Sequence, residues 1–273
     1  RSRGEILARI KKEAEYKADN MRSAHRLGDR EIGDIFRFME QSLGYLLVRY
    51  PFGEDELEGF AALFQGEQLV VTNSSSILPR ERFTAAHEIG HHVFDFSNGS
   101  QLRADQKTGS FNDSDLSEYR ADCFAAALLM PEKGVKDTLY ELGLDQADLS
   151  HTDVVRLQLV FGVSYRAMVK RLEDLGRIDQ SKAAYLYNYQ GETGENLGRL
   201  FRRAQAPSTV LLEAWRQVWV PTRYLRCLEA NYEEGLVSYP VLQQILQVVG
   251  VTPEDWDFAP KTERDTIDDH DVD

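Results

Sequence analysis

The residues best suited to chemistry lie in one short run, His87-Glu88-Ile89-Gly90-His91. Two histidines four residues apart on a helix project from one face, one turn above the other, so both imidazoles reach a single metal ion. Glu88, between them, reaches the remaining coordination position, where a water sits. Zinc lowers the pKa of such a water to about 7, and a carboxylate that takes its proton leaves hydroxide aimed at a polarised amide carbonyl. The spacing is that of HExxH, and the chemistry it serves is peptide-bond hydrolysis with Glu88 as general base. The competing reading is a surface helix with two solvated histidines.

A catalytic zinc takes three protein ligands and one open position, so a third ligand decides between these readings. A metzincin needs Gly at 94 and His or Asp at 97, and the chain has Phe94 and Ser97. Asp95 lies four residues beyond His91, where a straight helix carries it past the ion; it is the reserve ligand and otherwise a solvated or supporting carboxylate. Glu118 is the better choice, because it opens the run EYRADCFAAALLMP and has Asp122 one turn later on the same face. The first carboxylate of such a pair binds metal, and the second accepts the free N–H of a liganding histidine, fixing its tautomer. The alternative for Glu118 is a first-turn carboxylate favoured by the helix dipole, and for Asp122 a helix-surface charge. His92 points about 100° round the helix from His91 and is read as packing.

The stretch RFTAAHEIGHHVF followed by EYRADCFAAALLMP resembles the ImmA/IrrE family of zinc peptidases. The resemblance is carried by Arg82, Phe83, Thr84, Ala86, His87, Glu88, Gly90 and His91, then by Glu118, Ala121, Asp122, Phe124, Ala125, Ala126, Leu128, Leu129, Met130 and Pro131. It implies a gluzincin-like centre with His87, His91 and Glu118 as ligands and Glu88 as base. It further implies a substrate class, the helix-turn-helix repressors of the Cro/cI type, whose cleavage switches on stress, phage or mobile-element genes. The strand LVVTN is similar to the family's edge strand. Leu69, Val70, Val71, Thr72 and Asn73 are accordingly expected to pair with an extended substrate laid over the metal.

These residues need a scaffold. Ile6, Leu7, Ile10, Ala14 and Ala18 recur at helical spacing from Gly4 to about His25, and a second helix is expected from about Asp29 to Ser42. YLLVRYPF (45–52) and LEGFAALFQGEQLVVTN (57–73) read as three short strands with a hairpin at Gly66. The metal helix follows over 79–96, a polar loop over 101–115, and a long helix from Leu116 to Met130 that Pro131 ends. Beyond it, helices are expected near 134–142, 151–161, 164–175, 208–218, 222–234 and 238–249. The spacing predicts an α+β protein. A zincin-like domain with a small sheet and a metal-binding HExxH helix (1–132) precedes a mainly helical region with a helix-turn-helix-like segment (133–180). A C-terminal helical domain (181–260) and an acidic disordered tail (261–273) complete the division.

The helix-turn-helix cadence lies in TDVVRLQLVFGVSYRAMVKRLEDLG (152–176), where Arg166, Lys170 and Arg171 follow the turn Gly162-Val163-Ser164. The stretch 151–203 holds nine basic and six acidic side chains, yet the whole chain carries a formal charge of −13. That field opposes approach to nucleic acid, so the pair is read as packing on the peptidase core, and direct specific DNA binding is not expected. His151 and Tyr165, just beyond that core, are weighed as groups that polarise an oxyanion and otherwise as ordinary helix residues. No apolar run approaches the roughly 20 residues that cross a bilayer. Cys123 and Cys227 form no CxxC pair, which fits a reducing cytoplasm. The expected cofactor is one Zn2+ per chain, with Mn2+ as the alternative ion, and the expected partner is a protein substrate, a helix-turn-helix repressor. The rival function is a DNA-binding regulator or a partner-binding scaffold whose metal site is structural or degenerate.

Overall fold

A computed structural model describes residues 2–53, 57–96, 102–105, 109, 111, 113–248 and 250–260. The first helix, α1 (Arg3–Ala24), starts at a capping box in which Ser2 and Glu5 satisfy each other's backbone N–H groups. Its stripe Ile10, Ala14 and Ala18 is buried, ending in the buried Arg22. Four-residue spacing puts these side chains on one face, and that face packs on α4 (Leu116–Leu129). Between them come the short α2 (Ile35–Arg37), a π-helical turn (Phe38–Leu43) and the sheet.

The sheet has four strands in the order β1-β3-β2-β4: β1 (Leu46–Tyr50), β2 (Gly59–Phe64), β3 (Glu67–Asn73) and β4 (Leu102–Asp105). Gln65 and Gly66, both at positive φ (51° and 83°), close the β2–β3 hairpin with the twist that two-residue turns favour. The sequence expectation fails at LVVTN. Leu69–Asn73 are not an edge, because Leu69 pairs with Leu46 of β1 on one side and with Ala62 of β2 on the other. Val70 to Asn73 are all buried, the mark of an interior strand covered on both faces. The outer strands are β1 and β4, and β4 occupies part of the expected 101–115 loop.

The helix that carries HEIGH, α3 (Leu78–Phe94), is fastened to the sheet by a buried ion pair. Glu81 accepts hydrogen bonds from Arg49 of β1 at 2.8 and 2.7 Å and from Thr72 of β3 at 2.9 Å. The Arg49 guanidinium lies between the Phe36 and Trp215 rings, 3.9 and 4.1 Å from their centroids. Arg82, one of the residues that carry the family resemblance, donates to the carbonyls of Ile32 and Gly33. Its guanidinium packs on Gly162, where a Cβ would come within 3.1 Å of it and where φ is +63°. Both conditions call for glycine there.

Two compact units emerge, residues 1–217 and 218–273, so the expected breaks at 132 and 180 are not breaks. One continuous core runs from Ala14 to Leu211 and takes in α5 (Glu132–Glu141), α6 (His151–Phe161), α7 (Tyr165–Asp174), α8 (Gln180–Tyr187) and α10 (Leu197–Arg203), with α9 (Tyr189–Thr193) beside them. The reason is that α6 and α7 are too short to bury their apolar faces on each other; Arg171, for instance, donates to the Met130 carbonyl across the expected boundary. The helix expected over 208–218 is instead a 3-10 turn (Val210–Leu212) and a bridge from Ala214 to Ile77. In the second unit, α11 (Thr222–Glu233) and α12 (Tyr239–Val248) enclose a small core of Leu228, Tyr232, Leu242 and Leu246. The acidic tail 261–273 lies outside the described residues. Among those described, no helix is long and apolar enough to cross a membrane.

Candidate metal and catalytic site

Gly90 and Ala121 let α3 and α4 touch. A Cβ on Gly90 would sit 3.2 Å from the Ala121 Cα and 3.3 Å from the Phe124 ring, so a larger residue would force the helices apart. The start of α4 is fixed by Asp115, whose carboxylate accepts the N–H groups of Ser117 and Glu118. This crossing brings Glu118 and Asp122 of one helix against His87 and His91 of the other.

The two imidazoles are each held from behind. His87 Nδ1 lies 2.8 Å from Asp122 Oδ1, and Asp122 also accepts the N–H groups of Gly109 and Phe111, both at 2.7 Å. His91 Nδ1 lies 2.7 Å from Asp95 Oδ2, and Asp95 is itself bound by Ser117 at 2.8 Å and Arg120 at 2.5 Å. Burial opposes ionisation of Asp95, but the hydrogen bonds from His91 and Ser117 with the charges around them outweigh it and hold the carboxyl below its usual range. The network assigns the Nδ1 proton to both rings and turns both Nε2 lone pairs forward.

Forward of the rings, the Nε2 atoms stand 3.0 Å apart, with Glu118 carboxylate oxygens 3.2 Å from His87 and 3.4 Å from His91. Two lone pairs and an anion at such distances repel one another, and a cation among them turns the repulsion into attraction. Ligand atoms about 2.0–2.1 Å from a tetrahedral ion lie about 3.3–3.4 Å from each other, close to the separations found. His87, His91 and Glu118 thus form a group that can hold a metal ion. Both histidines are fully buried, whereas the Glu118 side chain is 23% exposed, so access is from the Glu118 side.

Glu88 is fully buried on the same helix, facing β2. At Gly59 of that strand a Cβ would fall 2.5 Å from Thr84 Cγ2 and 3.2 Å from Glu88 Oε1, so glycine is the residue that lets the strand pass the carboxylate. Sequence reasoning missed Gly59, although a lone glycine inside the strand-like EGFAALF was a signal for close approach. It also left Asp95 in reserve as a ligand. The structure instead puts Asp95 behind His91, in the role for His91 that Asp122 has for His87. Spacing offered that clue too, since Asp95 follows His91 by the same four residues that separate the histidines. His92 packs, as expected: its Nε2 is 3.0 Å from the Leu69 carbonyl and its ring lies against Tyr45 and Phe96. His151 and Tyr165 bond to each other at 2.9 Å, and neither belongs to the group of three ligands.

Residues 40–173 match the model of a peptidase family described as the IrrE N-terminal-like domain. This part of the chain belongs to that family. The match begins in the turn before β1 and ends within α7, so it spans the sheet, α3, α4 and the α6–α7 pair. No curated protein matches the chain.

Proposed function

We propose that the protein is a zinc-dependent endopeptidase that cleaves a helix-turn-helix repressor of the Cro/cI type. The observation that carries the peptidase reading is the pair of forward-facing Nε2 atoms, each ring backed by a carboxylate, with Glu118 beside them and Glu88 on the intervening turn. A bound zinc ion would polarise the substrate carbonyl and acidify the attacking water. Asp122 and Asp95 hold the imidazoles in the liganding tautomer. Glu88, in its dry setting, takes a proton from the water and returns it to the amide nitrogen as the C–N bond breaks. Nitrogen-rich geometry favours zinc, and Mn2+ is the alternative to be tested against it.

An extended substrate needs a strand edge, and β4 offers one. It pairs through Asp105 with Gly59, the residue that abuts Glu88, and its other side is the outer edge of the sheet. The repressor assignment rests on family resemblance, and free Cys123 and Cys227 fit a cytoplasmic setting for it. The test is incubation of the zinc-loaded protein with the repressor encoded beside its gene, followed by mass spectrometry. A discrete cut made by the wild type and not by Glu88→Gln is expected. An intact repressor removes this substrate class, and an intact panel of unstructured peptides as well removes the peptidase reading.

A further inference from the structure

Beside the metal centre, α3, Gly109, Phe111 and α7 enclose a cavity of about 490 Å3. Among the described residues its charged side chains are Arg80, Arg166 and Lys170, all cations, in a chain whose formal charge is −13. Phe83, Phe111 and Tyr187 supply aromatic wall. Lys170 is partly neutralised by Asp174 at 2.6 Å, and Arg80 faces Glu58 at 3.6 Å. Arg166 has no ion pair among the described residues; its guanidinium lies over the Tyr187 ring at 5.0 Å. The uncompensated cation is therefore Arg166.

The cavity shares its wall with the catalytic centre. Phe83 stands one turn before His87 on α3, while Gly109 and Phe111 are the residues whose N–H groups hold Asp122 behind His87. Arg80 precedes His87 by seven residues, about 10 Å along a helix. An extended chain covers that distance in about three residues.

We propose that this cavity is a substrate subsite for an acidic side chain, Asp or Glu, about three residues from the bond to be cut. This rests on the peptidase reading. Arg166, itself an exposed residue, pairs with the carboxylate in a charge-assisted bond. The rings cover the methylenes that carry it. Selectivity for an acidic position then comes from α7, while the strand edge supplies sequence-independent pairing.

The test uses two peptide series of the cut sequence in which a single Glu is moved along a Gln background. Rates are measured on the zinc-loaded wild type, and binding by fluorescence anisotropy on zinc-loaded Glu88→Gln. Glu at one position, about three residues from the cut, is expected to raise both kcat/KM and affinity about tenfold. Arg166→Gln should bring that ratio near one, Arg166→Lys should keep part of it, and Lys133→Gln, at an exposed position of α5, should leave it intact. A ratio of one in the wild type, or a preference that survives Arg166→Gln, refutes the subsite while leaving the peptidase standing. If the wild type cuts nothing yet Glu88→Gln still prefers Glu through Arg166, the cavity's preference for an acidic side chain stands, while its place relative to a cut bond falls with the peptidase reading. Equal displacement of Glu and Gln peptides by inorganic phosphate would make the cavity a small-anion site and refute the proposal.

Discussion

Helices α3 and α4 cross at Gly90 and Ala121 with their ionisable side chains turned toward one another. Helices α6 and α7 instead turn Val154, Leu157, Met168, Val169 and Leu172 inward and leave most of their charges at the rim. Both pairs carry polar groups at four-residue spacing. In α3–α4 the spacing on one helix meets a matching spacing on the other, and the result is a group of side chains that can hold a cation. In α6–α7 there is no such match, and the charges are met one at a time, Lys170 by Asp174 and Arg171 by Met130 and Glu15. Periodicity alone therefore places a side chain on a face. Chemistry follows only where the facing element completes the set.

The sharpest way to break this contrast is to empty one ligand position. Glu118→Ala should lose most of the bound metal, seen by elemental analysis after dialysis, because two imidazoles alone leave the ion short of its usual three protein ligands. Full retention there, with loss in Asp95→Ala, would reassign the third ligand. Next comes the proton carrier. Glu88→Gln should keep the metal and the circular dichroism of the wild type and lose about 10²–10⁴-fold in kcat, since an amide cannot accept the proton. Equal turnover by the two proteins would sink the mechanism.

A smaller effect tests the symmetry of the two imidazoles. Asp122→Asn and Asp95→Asn should each weaken metal binding about 10–100-fold, measured by competition with a chromophoric chelator. Asp122 also anchors Gly109 and Phe111, so its substitution should in addition raise hydrogen exchange at those two amides, which Asp95→Asn should not do. Identical exchange in both variants would show that the carboxylate does not order that stretch.

The same contrast explains what could be read in the sequence. The helices α1, α3 and α4 were legible, because each has a long apolar period and a defined stop such as Pro131. The grouping of His87, His91 and Glu118 was legible because HEIGH and ExxxD each fix a face. The place of β3 in the sheet was not, since strand order depends on pairing between β1 and β3, and the burial of Val70–Asn73 on both faces shows only when those partners are present. Likewise 208–218 has helical spacing, but Ala214 bridges to Ile77 and the Leu78 N–H donates to the Glu213 carbonyl, so tertiary pairing overrides it. Asp95 stayed open between reserve ligand and supporting carboxylate, because the sequence offers carboxylates without saying which side of a ring they occupy.

The smallest expected effect belongs to α7. If the α6–α7 pair were a DNA reader, Arg171 would be among its contacts, and Arg171→Gln would lower DNA affinity and reduce its salt dependence. The structure gives Arg171 different work. It is buried, donates to the Met130 carbonyl at 2.9 Å and pairs with Glu15 of α1 at 3.0 Å, so it ties three helices together. Gel shifts at physiological salt should show no sequence-specific complex with the wild type, as the chain's net charge also requires. Arg171→Gln should instead lower the unfolding free energy by about 1–3 kcal/mol, the cost of leaving a buried carbonyl without its donor, read from urea titrations. Lys170→Gln is the control, because its partner Asp174 is on the same helix and part-exposed, where such pairs contribute about 0.3–0.5 kcal/mol. A tight, salt-resistant shift lost in Arg171→Gln without loss of stability would turn α7 into a recognition helix and erase the difference between the two helix pairs.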